Sequence, residues 1–153
     1  MCGQGAIEYF TIVAALIVVF AGVTITQMVN PFSESAREEE QLAQAQVASD
    51  TIANAINGVY ANSEGAVITE FVNVSKSWSL DLNSDNLRVG VEIDGEMEWK
   101  ESSLEYGFDN SIPNISSGNY TVIVEWPSDG TENINLDSAN DKIYIYINPG
   151  GGG

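Results

Sequence analysis

The chain has 153 residues, enough for one ordinary domain and an extension. Its 22 acidic residues stand against five basic ones, a formal net charge of −17. Nucleic acid is therefore not an expected partner, because phosphate binding needs a Lys/Arg patch that Arg37, Lys76, Arg88, Lys100 and Lys142 cannot assemble.

Cys2 is the one cysteine, so an intrachain disulfide and Cys-rich metal sites are excluded. Histidine is absent, which removes Ser-His-Asp and Cys-His catalysis. Two carboxylates could still divide acid and base roles. With 22 acidic residues, however, some pairs fall close by chance, and such pairs usually form a solvated face. The chain is expected not to be an enzyme and to carry no cofactor. The acidic stretches 81–85 and 129–141 lack the Asp-x-Asp-x-Asp-Gly…Glu spacing of a calcium loop, so no metal is expected.

The first region runs from Gly3 to Val29. After Glu8 no charge appears until Glu34, and Tyr9 to Ile25 is almost wholly apolar. Continued to Val29 this is about twenty residues, the length of a membrane-spanning helix. Gly22 and the alanines suit such a helix, since small residues allow close helix–helix approach. Pro31 predicts a kink or break near Asn30-Pro31, with Ser33 capping a restarted helix. In that second helix Leu42, Ala45, Ala48, Ile52, Ala55, Ile56 and Val59 recur at three- and four-residue spacing, one apolar stripe on a wet helix. Gly58 and Asn62-Ser63-Glu64-Gly65 mark its end.

From Ala66 the period changes to two. Strands are predicted at Val67–Val72, Trp78–Leu82, Leu87–Ile93, Met97–Trp99, Leu104–Phe108, Tyr120–Trp126, Ile134–Leu136 and Ile143–Ile147. Asp94-Gly95 predicts a tight hairpin. Trp78, Trp99 and Trp126 alternate with aliphatic positions and are expected in the core. The stretch 113–118 reads as an exposed loop, and Pro149 to Gly153 as a flexible tail. The fold class is α+β: a long hydrophobic then amphipathic N-terminal helix, followed by a small antiparallel β-sandwich-like domain.

A lone carboxylate at the head of a membrane-length segment is costly in lipid and should have a partner. Cleavage between Gly3 and Gln4 would create an α-ammonium group one helical turn before Glu8, within one chain or toward an adjacent copy. Gly3-Gln4, a glutamate as the fifth residue after that bond, and an uninterrupted apolar helix resemble archaeal type IV pilins with class III signal peptides. The chain departs from the family's common pattern at Ala6, where Ser is frequent, and at Ile12, where Leu is frequent. Its leader would be only Met1-Cys2-Gly3, without the usual Lys/Arg.

The resemblance implies removal of residues 1–3 by a membrane prepilin peptidase. It also implies a helix over 4–61, hydrophobic over 4–30 and amphipathic over 31–61, and a β-rich head over 62–153. Gln4 and Glu8 would be the assembly residues. The product would be a homopolymer, the major subunit of an extracellular adhesive pilus. Its partners would be the cytoplasmic membrane before assembly and the assembly machinery. The alternatives are a single-pass membrane-anchored surface binding domain and an archaellin-like filament subunit, the latter disfavoured because archaellins typically carry Gly at the place of Glu8. Sequons at Asn73, Asn114 and Asn119 predict N-glycosylation of the head, with Asn114 and Asn119 favoured.

Overall fold

The computed structural model describes residues 4–25 and 30–150. The chain divides into two compact units, residues 1–39 and 40–153. Helix α1 (Gln4–Thr24) lies in the first. Helix α2 (Asn30–Asn62) begins in the first unit and continues into the second.

The kink or break predicted near Asn30-Pro31 adjoins residues 26–29, which lie outside the described residues. Ser33 falls inside α2 and does not cap it. The C-terminal end is where the turn residues predict it. Ser63 and Gly65 adopt positive φ, 80° and 86°, and the Asn62 side-chain amide donates to the Gly58 carbonyl at 2.7 Å. Gly58 itself does not end the helix. A Cβ there would stand 2.7 Å from Ile68 Cδ1, so the glycine lets the strand that follows approach α2 closely.

The second unit is a two-sheet sandwich. One sheet has the order β1 (Val67–Val74), β6 (Gly118–Glu125), β8 (Lys142–Tyr146), β7 (Asn133–Asp137). The other has the order β4 (Glu96–Ser103), β3 (Asn86–Ile93), β2 (Trp78–Leu82), β5 (Asn110–Ile115). Asp94 and Gly95 both take positive φ, 51° and 84°, the two-residue turn that matches strand twist, and Ile93 pairs with Glu96 across it. Pairing is antiparallel except between β6 and β8, which run parallel because the chain passes out to β7 at the edge before returning to fill the gap.

Alternation along the strands supplies the core. Val72, Val74, Val122, Val124, Ile143 and Ile145 face inward from one sheet, and Trp78, Leu80, Leu82, Leu87, Val89 and Val91 from the other; all are at most 5% exposed. The predicted stripe of α2 joins this core: Ala45, Ala48, Ile52, Ala55, Ile56 and Val59 are buried and Leu42 is partly so. Side chains of α2 reach both sheets at the β1 and β4 edges. Gln44 accepts from the Ser75 N–H at 2.9 Å just past β1. On the other side Ser49 Oγ bonds the Leu87 carbonyl and Ser102 Oγ, at 3.2 and 2.8 Å, and the Asn57 amide donates to the Ser103 carbonyl at 3.2 Å. These bonds tie the helix to one end of β1 and of β4, while both edge strands stay largely exposed.

One strand prediction needs correction. Leu104, Tyr106 and Phe108 are not a strand but a loop packed on the core, and the strand lies later, at β5. Period-two hydrophobicity there comes from a loop pinned by side chains: Asn57 Oδ1 accepts from the Glu105 N–H at 2.8 Å, and Tyr106 stacks on Tyr60 with centroids 5.6 Å apart. Pro113 is tolerated within β5 because this strand is a sheet edge.

Candidate functional site

In α1 the apolar residues are distributed around the whole circumference rather than along one stripe. Ile7, Phe10, Val18 and Phe20 are each 70% exposed or more, and the intervening large residues are exposed too. A helix apolar on all faces belongs in lipid or in packed protein. At 21 residues it is about 30 Å long, the thickness of a hydrocarbon core. By length and composition Ile7–Thr24 is long and apolar enough to cross a membrane. Its two threonine hydroxyls turn back on their own helix: Thr11 Oγ1 donates to the Ile7 carbonyl and Thr24 Oγ1 to the Phe20 carbonyl, each at 2.8 Å. Neither therefore needs water.

The one charge in that window is Glu8. Gln4 opens α1 and Glu8 follows at i+4, on the same face. Helical side chains tilt toward the N-terminus, so the exposed carboxylate leans back over the first turn. Gly3, the other half of the predicted cleavage bond, lies outside the described residues.

On the head, the three sequon asparagines are exposed, on strands rather than loops. Asn73 is the penultimate residue of β1, and Asn119, the second of β6, is directly opposite it. Asn114 sits in β5 with φ of 57°, its N–H donating to Ser79 Oγ at 3.3 Å. The stretch 113–118, expected as one exposed loop, is thus largely β-structure.

The tryptophans take different places. Trp78 is buried, edge-on to Tyr120 with centroids 5.9 Å apart. Trp126 is part-buried beside Tyr60. Trp99 corrects the core expectation: it is 39% exposed on the outer face of β4. Its ring covers Gly90 of β3, where an added Cβ would meet it at 2.9 Å, and the Arg88 guanidinium lies 5.0 Å from the ring centroid while pairing with Asp81. The arrangement shields a glycine within the sheet.

Burial, reinforced by a hydrogen bond from its hydroxyl to Glu132, pushes Tyr106 up to about 12. Asp137 is lowered, chiefly by a hydrogen bond from the Asn140 side chain, and Asp129 by one from Thr131. These contacts order loops. Among the described residues no group of three or more acidic or thiol ligands comes together.

A membrane-length apolar helix carried on a separately cored β-sandwich is the class of molecule this fold defines. No protein-family model, curated protein or solved structure matches the chain.

Proposed function

We propose that this protein is a structural subunit of an extracellular filament of the archaeal type IV pilus kind. The observation that carries this reading is the pairing of an all-round apolar α1, with one carboxylate at its head, and a head whose own core is complete without α1. In the bilayer α1 satisfies its backbone internally. Outside lipid the same surface must be covered, and copies of the chain can cover one another in an open helical array. Apolar burial of about 25 cal/mol per Å² drives that packing relative to water. Lipid already shields the helix, however, so extraction requires machinery and an energy source elsewhere.

In this reading a prepilin peptidase cuts between Gly3 and Gln4. The new ammonium group at Gln4 neutralises Glu8 of the same or a neighbouring subunit and sets axial register between stacked helices. The head is displayed outward, where adhesion is its expected role and N-glycosylation its expected modification. Electron microscopy of sheared cell-surface material should show filaments containing this chain, and N-terminal analysis should begin at Gln4. Glu8→Ala should leave cleavage intact and reduce assembly by an order of magnitude or more, as expected for a buried carboxylate–ammonium pair broken on one side. Normal filaments from that variant, or a chain found only as single membrane-anchored copies, would sink the proposal and favour a single-pass surface domain.

A further inference from the structure

Two exposed features of the head remain unexplained by its fold. Phe71 is 75% exposed on β1, and Val47 is 64% exposed on the flank of α2. With Ala43, Gln44 and Asn73 they line an open groove of about 490 Å³. Phe71 and Asn73 are two residues apart on one strand, so their side chains leave the same face about 7 Å from each other. Ser75, which completes the sequon Asn73-Val74-Ser75, is held at the end of the strand by its N–H bond to Gln44.

We infer that Asn73 is the principal glycan attachment point of the head, that Phe71 is the platform for its first saccharide, and that this glycan covers the groove and excludes a second one at Asn119. The aromatic face carries negative potential, which attracts the polarised C–H groups of a pyranose. Phe71 lies behind Asn73 on the same face, within reach of a sugar ring folded back along β1. The saccharide then covers Phe71 and Val47, apolar surface otherwise left in water. Phe71 also stands diagonally across the ladder from Asn119, but Asn73 and not Asn119 lines the groove with Phe71 and Val47.

Register supplies the exclusion. Asn73 and Asn119 are direct partners in the β1–β6 ladder, both on the outer face. Directly opposed residues in an antiparallel pair are only about 5 Å apart, narrower than two hydrated saccharides side by side. Asn114 belongs to the other sheet and is not subject to this exclusion. The transfer uses a lipid-phosphate-linked saccharide as donor. The Asn73 side-chain nitrogen forms a bond to the anomeric carbon, and the bond from that carbon to the phosphate oxygen breaks. Its electron pair leaves with the lipid phosphate, and the amide gives up one proton to a base of the transferase.

The inference rests on the proposed function only for placing the head outside the cell. Intact mass and glycopeptide mapping of the full chain from native cells should find Asn73 occupied, and no molecule carrying glycans on both Asn73 and Asn119. Asn73→Gln should raise occupancy at Asn119. Phe71→Ala should lower occupancy at Asn73 by about threefold or more, on the scale of one lost aromatic contact, and Phe71→Tyr should restore it; thermal melts confirm that both variants fold. An unmodified Asn73, doubly occupied chains, or unchanged occupancy in Phe71→Ala would each overturn the inference. In the last case a loss of assembly would assign Phe71 to contact with a second copy. Filaments without a glycan at Asn73 would leave the filament reading standing, whereas a glycan at Asn73 on chains never found in filaments would do the reverse.

Discussion

Gly107 has the tightest surroundings among the described glycines of the head: a Cβ added there would stand 2.0 Å from the Asn83 carbonyl oxygen and 2.9 Å from Leu104 Cδ1. Backbone cannot step aside as a side-chain tip can. Gly107→Ala should therefore lower stability by about 2 kcal/mol or more, toward the upper end for overpacking, measurable by urea denaturation of the head. Gly58→Ala offers a contrast. Its obstacle is the flexible end of Ile68, and the helix gains about 1 kcal/mol in propensity, so the net change should be within about 1 kcal/mol of zero.

Tyr106 makes a pH prediction at the same scale. Its folded pKa, about 12, lies above the ordinary 10.0, so the native state holds this proton more tightly than the unfolded chain does. Its contribution is fully present below pH 10 and is lost as pH rises toward about 12. Because Tyr106 is part-buried rather than enclosed, solvent screening should hold the loss to about 1–2 kcal/mol. Tyr106→Phe keeps the stack on Tyr60 and should flatten stability across that window; an unchanged alkaline slope would show that Glu132 does not hold this proton.

At the scale of elements, α2 is the component on which the head depends. From residue 40 onward its apolar stripe is part of the sandwich core, and its polar side chains engage the strands at both flanking edges. Ile56→Ala removes a fully buried side chain and should cost about 2–5 kcal/mol. Tyr60, on the same helix and 37% exposed, should tolerate replacement by Leu with a loss nearer 1 kcal/mol, on the scale of one aromatic stacking contact. Chemical denaturation of both variants tests whether the stripe or the aromatic stack carries the attachment of the helix. The stripe was legible because 3.6-residue periodicity survives whatever packs on it. The misread elements, 104–108 and 110–115, lie where side-chain hydrogen bonds and an edge position outweigh local pattern.

At the scale of the whole molecule, two units with opposite solvent requirements share one chain. Among the described residues the buried core lies within residues 40–153, and α1 contributes none of it. A chain starting at residue 40 should therefore be a soluble monomer by size-exclusion chromatography, with a cooperative melt, whereas the full chain should need detergent or copies of itself. Aggregation of the shortened chain in the absence of detergent would mean that the head requires α1. The strongly acidic composition helps keep the isolated head dispersed.

The residue order by itself determined the unit types and much of the candidate site. An apolar run of membrane length needs no partner to be recognised, and the place of Glu8 four residues after Gln4 is a property of the chain alone. The stripe of α2 and the Asp94-Gly95 hairpin were equally local. Only the tertiary structure decided what depends on meeting distant residues. It inserted β8 between β6 and β7, and it laid Trp99 over Gly90 on the outer face rather than in the core. It also set Asn73 opposite Asn119 with Phe71 exposed beside them. Periodicity records that one face of a strand is apolar, but which strand comes alongside it, and in what register, is settled by packing between segments far apart in the chain.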